Sequence, residues 1–155
     1  MSEPIASAEL LGAYARKALE AMLTAADRVP DDDLGTRPCG EGTNSVSALI
    51  VHSCAVCEFW LGHVGLGRPS DRDRDREFGA DVDRSELRAL VGRTIGQVDA
   101  DLAVLATDGG EPSELRGFLD GDEGDLSLVV HVLEELFQHL GHLDLTADAL
   151  LAKPT

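Results

Sequence analysis

The sequence predicts an all-α four-helix bundle. Four segments repeat apolar residues at three- and four-residue steps. Nothing alternates apolar and polar with period two over enough residues to make a sheet. Apolar residues are 43 % of the chain and aromatics only 4 %. Ala, Leu and Val carry that share, which favours closely packed helices. At 155 residues the chain has material for one core. Residues 1–155 therefore read as a single domain with long inter-helix loops.

The first helix is expected from about Ser7 to Asp27, with Leu11, Tyr14, Ala15, Ala18, Met22 and Ala25 on its apolar stripe. Pro30 and Asp31-Asp32-Asp33 close it, and Leu34 to Gly42 is a loop. Thr43 or Asn44 is the expected N-cap of a second helix over about Ser45 to Gly67. That helix is apolar nearly all round, the pattern of a buried one. The run Asp71-Arg72-Asp73-Arg74-Asp75-Arg76 reads as a solvated loop or short turn, or else as a rim that meets an anionic ligand. Asp83 and Glu86 form a capping box for a third long helix, about Arg84 to Ala106. A long connection from Thr107 to Gly124, with a short helix around Ser113 to Leu119, leads to the last helix, about Asp125 to Ala152.

A net charge of −16 argues against nucleic acid and anionic membranes as partners, and favours attraction of cations. No run is expected to reach the ~20 apolar residues that span a bilayer. Met1 to Ser7 has no secretory pattern, so a cytoplasmic protein is expected. Three cysteines, an odd number, do not suggest a disulfide scaffold. Cys54-x-x-Cys57 falls inside the buried helix, and both thiols point roughly 140–160° away from His52. They read as small packing residues rather than a redox pair.

Histidine carries the functional signal. At ~100° per residue, His131, Glu135, His139 and His142 fall within roughly 80° of one another on the last helix. That stripe borders the apolar stripe of Val132, Leu136, Leu140 and Leu143. Two imidazoles three or four residues apart reach one ion, and neutral imidazole suits zinc or nickel. A third ligand must come from another helix. His52, an ionisable group in the buried second helix, needs a partner and is the candidate. The expected ligands are His52, His139 and His142, with Glu135 in reserve. His63 lies ~16 Å along the axis from His52 and cannot share the ion.

Two stretches resemble a known family. Thr43-Asn-Ser-Val through His52 to Glu58-Phe-Trp60 and Gly67-Arg68 resembles the second helix of actinobacterial DinB-like proteins. His131-x-x-Glu134-Glu135-x-x-x-His139-x-Gly141-His142 resembles the closing helix of the DUF664 branch. The resemblance implies a DinB/YfiT-like bundle with a three-ligand metal site. It also implies relatives that are thiol S-transferases, or the mycothiol-dependent maleylpyruvate isomerase. The broader family often spaces its last two ligands by four; here Gln138 and Leu143 leave His139 and His142, three apart.

The expected activity is metal-dependent transfer of a low-molecular-weight thiol, mycothiol, to small electrophiles. Glu135 is the expected proton-moving residue. Arg37 and Arg68 are expected to hold the cofactor's polar part, with the Arg72, Arg74 and Arg76 cluster beside them. A homodimer is expected. The alternatives are a non-catalytic metal-binding or stress-related module, a mycothiol-dependent isomerase, and a hydrolase using metal-bound water.

Overall fold

Ser7 starts the first helix, its hydroxyl accepting the Leu10 N–H at 3.1 Å. The computed structural model describes residues 7–108 and 124–152. Helix α1 spans Ala8–Ala26 and buries Ala15, Ala18, Leu19, Met22 and Ala25. Tyr14, counted in that stripe from the sequence, is half exposed and meets Phe137 edge-on at 6.4 Å. A 3₁₀ turn at Asp31–Asp33 then sets Leu34 into the core.

Helix α2 spans Val46–Cys57. Its cap is Ser45, whose hydroxyl accepts the Ala48 N–H, rather than Thr43 or Asn44. Thr43 is spent on the preceding turn, donating to Gly40 O and accepting from Cys39 N–H. The helix does not run on as α. Glu58–Gly65 is π-helical, a local widening that often marks a functional segment. Gly67, with φ +72°, takes the left-handed conformation that turns the chain out of this helix.

The charged run contains a short helix, α3, at Arg74–Phe78, capped by the Asp73 side chain on the Arg76 N–H. Helix α4 spans Arg84–Asp108, and Asp83 caps it by accepting the Glu86 N–H at 2.9 Å. Helix α5 spans Gly124–Leu151. The short helix expected around Ser113 to Leu119 lies outside the described residues. Among those residues there is no strand.

Helices α1 and α2 each pack chiefly on α4 and α5 and only lightly on each other, so they occupy opposite corners of the bundle. Leu19, Met22, Leu49, Ile50, Leu136 and Leu143 fill the space between. One expectation needs correction here. Val46–Gly65 is long and apolar enough, on length and composition, to cross a membrane. It is 67 % buried inside the bundle, because a helix surrounded by others is as apolar as one surrounded by lipid.

Arg68 locks the end of the π segment. Its guanidinium donates to Glu58 Oε1 at 2.7 Å and to Asp101 Oδ2 at 2.7 Å. Asp101 is almost fully buried in α4, and Gln97 adds a third hydrogen bond to it. Gly62 lies beneath the guanidinium, where an added methyl would overlap it. Removing one partner from a buried ion pair strands the other charge, which costs more than the pair contributes. Arg68→Met is therefore expected to lower unfolding free energy by about 3 kcal/mol in urea titration. Arg88→Met, which breaks an exposed pair with Asp27, should cost less than about 1 kcal/mol. Equal losses would show that Asp101 does not depend on Arg68.

Candidate metal centre

His52 projects from the middle of α2 and is 1 % exposed. Its Nδ1 lies 2.7 Å from Glu77 Oε2, on α3. An ionised carboxylate only accepts, so Nδ1 carries the hydrogen and donates. Arg72 holds the same carboxylate, its Nε donating to Oε1 at 2.7 Å and a second nitrogen to Oε2 at 3.1 Å. Phe78 stacks on the imidazole at 4.3 Å. Burial alone raises the Glu77 carboxyl, but the hydrogen bonds from Arg72 and His52 outweigh it and hold it below the usual range. Burial pushes the His52 imidazole down despite Glu77. The ring is thus neutral near pH 7, with its Nε2 lone pair fixed in direction.

That lone pair meets His139 of α5. The two Nε2 atoms are 3.0 Å apart, and Glu135 Oε2 lies 3.3 Å from His139 Nε2. Burial lowers the His139 pKa as well, against the pull of Glu135. One donor atom from each of His52, Glu135 and His139 falls within 4.8 Å of the others. An N–H···N bond between the rings needs a hydrogen on His139 Nε2. Without that hydrogen, two lone pairs and a carboxylate converge on one point. Two nitrogens each about 2.1 Å from one ion, at about a right angle, are about 3.0 Å apart. The residues present therefore fit a divalent cation.

Glu135 and His139 are one turn apart on α5 and share a face, so they arrive together. His142, the third ligand expected from the sequence, is exposed and lies outside this group. It lies three residues beyond His139 on the same helix, on its exposed side. His131 is half buried beside the site, its ring edge-on to Trp60 at 4.7 Å. His63 is engaged elsewhere, donating from Nδ1 to Arg68 O at 2.6 Å.

A cavity of about 480 Å³ opens beside the cluster. His52 and Glu135 form its polar wall, Val56, Phe59 and Trp60 its apolar wall, and Arg74 part of its edge. The π segment supplies both aromatic residues. Arg37 and Arg68, expected to hold a cofactor, make internal bonds instead. Arg37 donates to Glu41 O and Phe78 O, tying its loop to the end of α3. Arg68 is committed to Glu58 and Asp101.

Glu77 is the functional residue that sequence reasoning missed, and Arg72, expected beside a cofactor, holds the Glu77 carboxylate instead. The available signal was Asp73 as an N-cap and Phe78 as an apolar anchor, which together mark a docked turn rather than a solvated run.

The family model described as DinB superfamily matches residues 14–143. No curated protein and no solved structure matches the chain.

The cysteines take no part in this cluster. Cys54 and Cys57 are buried, and burial pushes the Cys54 thiol up to about 11 and the Cys57 thiol well above its ordinary value. At pH 8 a thiol of pKa 11 is about one part in a thousand thiolate, the reactive form. Native protein should therefore release one equivalent of thionitrobenzoate from Ellman's reagent at pH 8, from exposed Cys39. Urea-unfolded protein should release three, and rapid reaction of all three in the native state would contradict this packing.

Proposed function

We propose that this chain, which belongs to the DinB superfamily, is a divalent-metal-dependent thiol S-transferase that uses mycothiol on small electrophiles. The observation that carries the reading is the convergence of His52, His139 and Glu135 beside a cavity with an apolar wall. These residues would hold zinc or nickel, with His52 kept in its ligating tautomer by Glu77. A divalent ion held there would lower the pKa of a thiol and so supply thiolate near neutral pH.

The chain's own residues do the rest. Glu135, which lines the cavity, accepts the proton that the thiol gives up, at the carboxylate oxygen not used on the ion. The sulfur lone pair forms a C–S bond to the electrophilic carbon, and the leaving group departs with its electron pair. Val56, Phe59 and Trp60 shield the electrophile from water.

Metal analysis tests the donor set. His52→Ala, His139→Ala and Glu135→Ala should lose the ion, and His142→Ala should keep it. Glu77→Gln should retain the fold but bind metal about 10–100-fold more weakly. Ion retained in both His52→Ala and His139→Ala would end the reading. Loss in His142→Ala with retention in Glu135→Ala would restore the trio expected from the sequence.

The activity is tested by incubating metal-loaded protein with mycothiol, bacillithiol or glutathione and monochlorobimane. Thiol-dependent adduct above background, lost in His52→Ala, is expected, with chloride as leaving group. No adduct with any thiol or metal would favour a non-catalytic metal-binding module. Turnover of ester or amide substrates without thiol would favour a hydrolase.

A further inference from the structure

Most arginines in this acidic chain are already engaged. Arg16, Arg28, Arg68, Arg72, Arg84 and Arg88 pair with carboxylates, and Arg37 donates to backbone carbonyls. Arg74 is different. Among the described residues its guanidinium makes no ion pair and no hydrogen bond, yet it lies at the cavity that contains His52 and Glu135. Its charge acts on His139, as a smaller influence than burial. The chain carries a net charge of −16, yet among the described residues no carboxylate forms an ion pair with Arg74.

The apolar lining of the cavity is largely aromatic. Trp60 and Phe59 meet edge-to-face at 5.4 Å, and Arg72 lies over the Phe59 ring while committed to Glu77. The cavity thus pairs one available guanidinium with an aromatic surface. A guanidinium fork matches a carboxylate with two parallel N–H···O bonds. A phosphate dianion would need more donors than one fork, and would sit near the Glu135 carboxylate.

We infer that the ligand of this cavity is a small monocarboxylate with a flat apolar body, its carboxylate on Arg74 and its body against Trp60 and Phe59. The inference rests on the reading that this cavity is the substrate site, and it names the class of electrophile that site accepts. Arg74 recognises the ligand and does not take part in bond making.

Trp60 is the only tryptophan in the chain, so tryptophan fluorescence, excited where tyrosine does not absorb, reports on this cavity. Wild type, Arg74→Gln and Arg76→Gln, each metal-loaded and metal-stripped, are titrated with 3-phenylpropanoate, its neutral amide and inorganic phosphate. Arg76 serves as control because it lines a neighbouring cavity without His52. Wild type should bind the acid about 10–100-fold more tightly than the amide. Arg74→Gln should abolish that preference, while Arg76→Gln keeps it, and phosphate should bind more weakly than the acid. Because Arg74 is exposed and bonded to nothing described, the variant is expected to fold normally, checked by its circular dichroism.

Equal binding of acid and amide, no binding of either, or tighter binding of phosphate would overturn the inference. So would an acid preference that survives Arg74→Gln and disappears on stripping the metal, since the ion would then hold the carboxylate. That last result leaves the metal reading intact. An Arg74-dependent preference in loaded and stripped protein alike supports the inference even where no thiol adduct forms.

Discussion

A buried imidazole turns freely about its Cβ–Cγ bond unless something holds one of its nitrogens, and in this bundle Glu77 holds that of His52. The bond is 2.7 Å long, both partners are almost wholly buried, and Phe78 closes one face of the ring. Everything else at the cluster follows from it. With Nδ1 occupied, Nε2 is the only lone pair available, and it can aim only at α5. Arg72 makes this tolerable, because its charge keeps Glu77 ionised where burial alone would favour the neutral acid. A triad of this kind is an expensive way to attach a five-residue helix. Apolar side chains of similar volume would dock α3 as well or better. The use of the triad is orientation, and the residue it orients lies at the one gathering of three ligating side chains among the described residues.

The π segment serves the same geometry from the other side. An α-helix through Glu58–Gly65 would send successive side chains round at ~100° per residue. The wider turn spaces them more closely in angle, so adjacent Phe59 and Trp60 both reach the cavity. The segment is paid for at its far end by two close approaches. Arg68 covers Gly62 while bridging Glu58 and Asp101. A methyl at position 65 would come within 2.9 Å of Leu128 on α5, so Gly65 lets that helix pack close. The irregular stretch is thereby clamped between α4 and α5, the two helices that pack on both opposite corners of the bundle.

The long helices were legible because periodicity and capping are local. Ser7, Asp83 and the 3.6-residue stripes place α1, α4 and α5 within a few residues of their observed ends. The site was legible only in part. Angular arithmetic put His131, Glu135, His139 and His142 on one stripe but could not say which of them points inward. That depends on where α2 sits across the bundle, and it brings Glu135 with His139 to His52 while His142 stays exposed. Glu77 was hidden for a different reason. A run of alternating acids and arginines looks solvated, and whether one glutamate in it folds inward is decided by a histidine 25 residues earlier. Arg68 looked available because its partner Asp101 is distant in sequence. An acid on the apolar stripe of Val98, Leu102 and Leu105 of α4 was nevertheless a sign that some cation had to reach it.

Charge ties these parts together. The surface is acidic enough to concentrate divalent cations around the molecule and to repel small anions. An anionic ligand therefore approaches against the average field and needs a local positive feature at its destination. Two arginines lie near the cluster among the described residues, and a bound ion would add a third positive feature. Arg72 is neutralised by Glu77, and an ion at His52, Glu135 and His139 would be partly neutralised by Glu135. Arg74 forms no ion pair among the described residues and lies at the same cavity. In such a field one guanidinium beside an apolar surface is a strong discriminator, because the average field excludes anions elsewhere. Cation affinity from the whole protein and anion selectivity from a single side chain are thus compatible, and the cavity beside Trp60 is where the two meet.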